Sequence, residues 1–493
     1  MIYFTDIFEA DESKLNAYGA FNISLINDLP LFIDPFLLFG SSKNEYQHLH
    51  EDILRYIAFL KERSNGGDIP MSQIIAWYVF PEIKQNWLGY SLVGNRGSGL
   101  GKKFGKSFSS SLDFLFKDIG NETISVTSHI EKTCLFEVGI GRDNISDLTC
   151  NLIKNYLLEY TQKFSLENID PKYLASVKVE KVYFDYTLER WMPGTFTLPV
   201  LDADYVLLTP KDILTKDDNW INRGDLNAKF NEIYSAIPNS QLRFEIENYF
   251  KQNLPAPTPN KSLSDKEKNE AISRVLRKYP EIIDYFIKYK ETNKEGARRI
   301  SNEKVDEVYN LFIKNTSRFI ELLKNETPFY AISHINSYSE AMKRVEFMKT
   351  VIEDMDGYRL FYHKGAPIKR EADLQIIYRL TWYATDYDVN REVNNGRGPV
   401  DYTISKGSKD KTLVEFKLAS NSQLKKNLLN QVEIYKKANK TESSIKVILY
   451  FDDSEYRKVV SILKELNLSE DKSIILIDAG ADNKVSASKA TEH

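Results

Sequence analysis

The residues best suited to chemistry lie between Arg391 and Tyr435. Asp401 follows Asn394-Asn395-Gly396-Arg397-Gly398-Pro399-Val400, Glu415 and Lys417 stand in Val414-Glu415-Phe416-Lys417-Leu418, and Gln431 opens Gln431-Val432-Glu433-Ile434-Tyr435. Two acids, a lysine and a glutamine at these spacings suit metal-dependent phosphodiester chemistry. Two carboxylates can hold Mg²⁺, a cation that prefers oxygen ligands and keeps waters for exchange. A lysine beside them can orient an attacking water or offset charge developing on the phosphorus centre.

The elements that must position these groups follow from hydrophobic patterning. Residues 371–380 read as a helix with Leu374, Ile377 and Tyr378 on one face. Asp388 to Val393, Val400 to Ile404 and Thr412 to Leu418 read as three strands, with turns at Gly396-Arg397-Gly398 and Lys406 to Asp410. Leu424 to Ala438 is expected to be a helix and Ile445 to Phe451 a fourth strand. Because side chains alternate along a strand, Glu415 and Lys417 share a face, which Asp401 reaches from the hairpin partner. Taken singly, Glu415/Lys417 could be a surface ion pair and Gln431/Tyr435 an ordinary i,i+4 helix pair.

Their order along the chain is more specific than any one of them. The segment 355–455 resembles the PD-(D/E)xK nuclease superfamily, in its QxxxY-containing, restriction-endonuclease-like form. Asp401 matches the motif acid, Glu415-Phe416-Lys417 matches ExK, Gln431-x-x-x-Tyr435 matches QxxxY, and Glu371 matches the extra acid of the preceding helix. One departure is that proline stands two residues before the acid (Pro399-Val400-Asp401). The resemblance implies an αβββαβ core and a Mg²⁺-dependent endonuclease, with Mn²⁺ as an alternative ion. Asp401 and Glu415 would be metal ligands, supported by Glu371, with Lys417 activating water. Gln431 would position the lysine or the DNA backbone, and Tyr435 would pack beside it. Arg391, Arg397, Lys425 and Lys426 are then candidates for phosphate contacts, with solvated surface as the bland reading. DNA is the expected substrate, with RNA the alternative on the same fold. A catalytically inactive nucleic-acid-binding or regulatory protein is the rival from another class. Cutting both strands would favour a homo-oligomer, a dimer or higher. A role in bacterial restriction or anti-phage defence follows by analogy alone.

Charge agrees with this division of labour. Residues 361–450 hold 16 Lys and Arg against 10 Asp and Glu, in a chain whose net charge is −4. A mildly basic segment on an otherwise acidic chain suggests one surface that faces a polyanion.

The remaining residues are organised around this segment. A chain of 493 residues exceeds one core, and the fold class expected is α/β. Residues 1–250 read as a mixed α/β module that could sense a trigger, hold a partner protein or bind DNA. Residues 261–356 read as a helical connector after the proline-rich Leu254 to Asn260, 357–479 as the nuclease-like domain, and 480–493 as a disordered tail. Within the first module, the first forty residues read as β-rich, Glu45 to Arg63 as a helix, and Thr133 to Val138 as a strand. The run Gly139 to Thr149 is expected to open a helix reaching about Phe164, capped by Asn144 or Ser146, with Asp143 and Asp147 read first as capping residues and second as a carboxylate pair. The glycine-rich run Gly94 to Ser107 lacks the GxxxxGK[ST] spacing of a phosphate loop and reads as a flexible connector. The six histidines show no zinc spacing, and His48 and His50 are expected at the surface. Two cysteines are too few for a disulfide framework or a four-cysteine zinc site. No apolar run approaches the ~20 residues of a membrane span, and no secretion signal opens the sequence, so a cytoplasmic location is expected.

Overall fold

Asp401, Glu415 and Lys417 sit in the five-stranded sheet that organises the C-terminal third of the chain. The computed structural model describes residues 2–64, 69–89, 99–136, 140–202, 204–255, 263–331, 334, 336–383, 385–391, 401–407, 410–429, 443–482 and 484. Gln431, Tyr435 and Arg397 therefore lie outside the described residues, as does the backbone from 392 to 400.

The N-terminal half is mostly helical. Its elements include α1 (Asn44–Ser64), α2 (Lys102–Leu115), α3 (Arg142–Leu152) and α4 (Lys154–Asn168). One long hairpin, β1 (Leu174–Asp185) with β2 (Arg190–Leu201), packs its aromatic side chains on α1. Tyr56 of α1 lies 5.0 Å from Phe184 and 5.3 Å from Trp191 between ring centroids, and accepts a hydrogen bond from Trp191 Nε1 at 3.1 Å.

Several sequence expectations are corrected here. The first forty residues form short helices, isolated bridges and one two-residue strand, Phe32–Ile33, paired with Leu214–Thr215, with Asp11 capping Glu12–Tyr18 and Asp34 capping Pro35–Phe39. Asx side chains that accept from helix N–H groups outweigh the apparent alternation. Thr133 to Phe136 is helical, within Lys132–Phe136, because packing that buries Lys132, Thr133 and Leu135 overrides β propensity. Lys102 to Ser107 begins α2 instead of extending the loop. The helix expected to run unbroken to about Phe164 starts at Arg142 with Gly141 as its N-cap and breaks at Ile153. Asn144 accepts from Gly141 N at 3.1 Å, whereas Ser146 Oγ accepts from Ile33 N at 3.0 Å. His50 is buried, not at the surface.

Later elements lead to the sheet. The helices α5 (Glu281–Thr292) and α6 (Lys294–Val308) continue the N-terminal core. Next, α7 (Ser337–Asp354) is capped by Asn336, whose Oδ1 accepts from Ser339 N at 2.9 Å. Its buried stripe of Ala341, Val345, Met348 and Ile352 repeats at helical spacing and lies across the sheet. Ser337 fixes the start of α7 by donating from N and Oγ to Asp410, at 2.8 and 2.6 Å. Then come α8 (Glu371–Thr381), β3 (Asp388–Arg391), β4 (Tyr402–Lys406), β5 (Asp410–Leu418), β6 (Ser443–Tyr450), α9 (Asp453–Glu465) and β7 (Ile474–Asp478).

The strand order is β7-β6-β5-β4-β3. The strands β5, β6 and β7 run parallel, whereas β3, β4 and β5 form an antiparallel meander. Val414, Phe416 and Leu418 of β5 belong to the main core with α7 and α8. On the other face Ile448, the cross-strand neighbour of Lys417, joins Leu424, Leu428, Val459 and Leu463 in a smaller cluster. Burial on both faces is what an α/β sheet covered by helices requires. Among the described residues no helix is long and apolar enough to cross a membrane.

Candidate active site

Three elements deliver the charged groups. On β5, Glu415 and Lys417 point away from the main core, because Val414, Phe416 and Leu418 occupy it. The last cross-strand pair of β4 and β5 is Tyr402 with Val414, which brings Asp401 level with Glu415. Glu371 is the first residue of α8, where a carboxylate favours the positive end of the helix. An aromatic wedge holds α8 to the sheet. Tyr378 lies 4.4 Å from Phe416 and 5.3 Å from Tyr402 between centroids, and Tyr402 Oη donates to the Gln375 carbonyl at 2.5 Å.

Lys417 is the centre of the arrangement. Its Nζ lies 3.5 Å from Glu371 Oε2 and 3.5 Å from Asp401 Oδ2. Asp401 Oδ2 also accepts from Phe416 N at 2.6 Å, and Glu371 Oε1 accepts from Asn421 Nδ2 at 2.6 Å. Both acids are thereby fixed by groups other than the lysine.

The electrostatics follow from burial and crowding. Burial pushes the Asp401 carboxyl above the usual carboxylate range, a shift that Lys417 and the Phe416 N–H oppose. Burial raises Glu415 to about 7, with Asp401 and Glu371 adding to the shift and Lys417 and Lys446 opposing it. For Lys417, burial disfavours the charge, but Asp401, Glu371 and Glu415 outweigh it and raise its pKa. The lysine is therefore held as an ammonium at neutral pH.

An open groove of about 540 Å³ lies beside Glu371, lined also by Lys369, Leu418, Asn421, Phe451 and Glu455, and Asp401, Glu415 and Lys417 are not in its lining. Behind it, Arg370 ties the start of α8 to the N-terminal half. Arg370 Nη1 meets Asp217 Oδ1 at 2.6 Å, and Asp217 also holds Lys304 of α6 at 2.8 Å. Lys216 bridges Glu307 of α6, at 2.6 Å, and Asp373 of α8, at 3.8 Å.

The structure thus brings together Glu371, Asp401, Glu415 and Lys417. Of the phosphate-contact candidates, Lys425 is exposed and paired with Glu465, and Lys426 is exposed. Arg391 ends β3. Asn421, which anchors Glu371, and Lys446, which pairs in register with Glu415, were not singled out from sequence. A charge inside the apolar run Ile445-Lys446-Val447 was a readable signal for the second, whereas nothing marked the first. In the N-terminal half, Asp147 is raised to about 7 by burial, Glu82 and Asp143, in that order. No group of three His, Cys, Asp or Glu is disposed to hold a metal ion among the described residues.

Comparison with known proteins matches two stretches of the chain. A family model described as Domain of unknown function (DUF8370) matches residues 10–222. A second, Domain of unknown function (DUF8371), matches residues 337–453, from the start of α7 to just beyond β6. No curated protein and no solved structure matches the chain.

Proposed function

We propose that the C-terminal region is a metal-dependent nuclease that hydrolyses phosphodiester bonds in DNA, on a restriction-endonuclease-like core. The observation that supports this reading is the convergence of Glu371, Asp401 and Glu415, from the start of α8, the entry to β4 and the strand β5, around one half-buried lysine, Lys417. Surface ion pairs do not need such burial, and burying Asp401 and Glu415 beside a third acid is costly unless a cation is to be held there.

Glu371, Asp401 and Glu415 carry the hard carboxylate oxygens that Mg²⁺ or Mn²⁺ prefers, but with Lys417 between Glu371 and Asp401 they are not disposed around an ion, which would have to displace the lysine. Burial is the main cause of the raised Glu415 pKa, and Asp401 and Glu371 add to it. Asp401 and Glu415 would hold the ion with support from Glu371, and the ion would polarise the scissile phosphate and make a bound water more acidic. The chain's own groups supply the rest. The Lys417 ammonium donates to a phosphate oxygen and offsets the charge that builds there. Asn421 and the Leu418 N–H keep Glu371 from rotating away. Lys369, on the groove wall, is placed to meet a phosphate of the entering strand.

Incubating supercoiled plasmid and structured RNA with the full chain, in Mg²⁺ and in EDTA, tests the reading. Nicked or linear plasmid in Mg²⁺ and intact plasmid in EDTA are expected. Intact DNA under both conditions contradicts it, and cleavage confined to RNA moves the substrate to RNA.

A further inference from the structure

The N-terminal half buries a second set of polar groups, around a pocket of about 510 Å³. That size lies within the ~300–1,000 Å³ of small-molecule sites. Its walls come from Phe39, from α1, from residues 124–127, and from the junction of α5 and α6.

Two of these groups have no partner. His50 is 7% exposed, and neither ring nitrogen has a hydrogen-bond partner among the described residues. Ser125 Oγ, in the same wall, is likewise buried and unpartnered. Burial and the neighbouring His129 lower the His50 pKa to about 3, so the ring is neutral, with one nitrogen a donor and the other an acceptor. An unmet buried group of this kind is costly, and a complementary ligand recovers that cost.

Some of the surroundings are satisfied, although Ser128 Oγ and His129 Nδ1 are also buried without partners among the described residues. Glu291 accepts from Val126 N at 2.7 Å and Thr127 N at 3.1 Å, and pairs with His129 at 3.1 Å. The loop is therefore pinned, while His50 and Ser125 stand in the pocket wall with their polar atoms covered and unpartnered. Phe39 lies 5.5 Å from His50 and 4.9 Å from His129 between ring centroids, giving an aromatic wall. Lys288 and Lys294 are exposed and line the same pocket. Glu51 is also in the lining, 3.2 Å from His48.

A planar heterocycle with an acceptor and a donor on one edge satisfies a neutral imidazole and a hydroxyl together. Its flat face suits the aromatic wall, and an anionic group on it suits the two lysines. We propose that this pocket binds a nucleotide, its base against His50, Ser125 and Phe39 and its phosphate at Lys288 and Lys294. This site is separate from the proposed hydrolytic one, and its occupancy is read by binding alone.

The test is calorimetric titration of the full chain, in EDTA, with adenosine, guanosine and uridine 5′-monophosphates. Adenosine, guanosine and uridine without phosphate, and ribose 5-phosphate without a base, are the comparison probes. At least one monophosphate is expected to bind, with its nucleoside about tenfold weaker and ribose 5-phosphate weaker still, as loss of one set of contacts implies. Val126→Trp, at a side chain 76% exposed in the pocket lining, is expected to abolish binding without disturbing the core. Ser125→Ala is expected to weaken binding about tenfold. The proposal is overturned if no monophosphate binds at millimolar concentration. It is also overturned if ribose 5-phosphate binds as well as the monophosphates, or if both variants bind like the wild type.

Discussion

The C-terminal sheet and the N-terminal pocket both bury ionisable groups, but they resolve the cost differently. In the sheet, Lys417 lies between Glu371 and Asp401, and the cluster as a whole remains richer in acid than in base. In the N-terminal pocket, Glu291 is satisfied by two N–H groups and His129, and the unmet groups of the lining are the neutral His50 and Ser125. An excess of buried charge points to a cation and a charged substrate, whereas unmet neutral donors and acceptors point to a hydrogen-bonding ligand. Burial is common to both regions, and the kind of imbalance separates them.

The largest effect that sharpens this contrast is catalytic. Lys417→Ala is expected to lower the cleavage rate by about 10²–10⁴-fold with little change in melting temperature, because the lysine acts on the reaction. Glu291→Ala is its counterpart. It leaves two loop N–H groups and a buried imidazole without their acceptor, so chemical denaturation should show a loss of about 3 kcal/mol. A loss of stability in Lys417→Ala as large as that in Glu291→Ala would erase the distinction.

A smaller effect is read from pH. Burial raises Glu415 to about 7 from 4.5, so the folded state holds that proton more tightly than the unfolded chain. Its contribution to stability is therefore full below about pH 4.5 and is lost as the pH rises through about 7. Glu415→Gln, which cannot ionise, should be more stable than the wild type at pH 8, by about 2 kcal/mol. The difference should fade between pH 7 and 4.5 in denaturant titrations. Cleavage by the wild type should rise with pH across the same range, since only the ionised carboxylate can act as a ligand.

The smallest effect tests the tie between the two regions. Arg370→Ala removes a partly exposed pair with Asp217, worth about 1 kcal/mol or less to stability. Because Arg370 precedes Glu371, a loss of about fivefold in cleavage rate is expected, the kinetic equivalent of 1 kcal/mol. An unchanged rate would show that the remaining contacts of α8 hold it without this pair.

How much of this was legible from sequence follows the same contrast. The sheet was readable because its site is nearly contiguous: strand alternation places Glu415 with Lys417, and a hairpin brings Asp401 across. The helix of Glu371 and the strand of Lys446 also carried clear patterns. The N-terminal pocket was not readable, because His50, Ser125 and Glu291 meet only through the packing of α1, the 124–127 segment and α5. The misread strand at Thr133 and the misread β-rich start have the same origin, since tertiary burial and Asx capping outweighed local alternation. The network from Arg370 through Asp217 to Lys304 spans residues too distant in sequence for any local pattern to reveal.

The central claim is that Glu415 and Lys417 belong to one catalytic unit, and a cleavage cycle on plasmid DNA in Mg²⁺ tests it most directly. The account predicts that Glu415→Ala, Lys417→Ala and the double variant all remain folded by circular dichroism and all fall to about the same residual rate, because members of one unit are not additive. Either single variant cutting as fast as the wild type would contradict it.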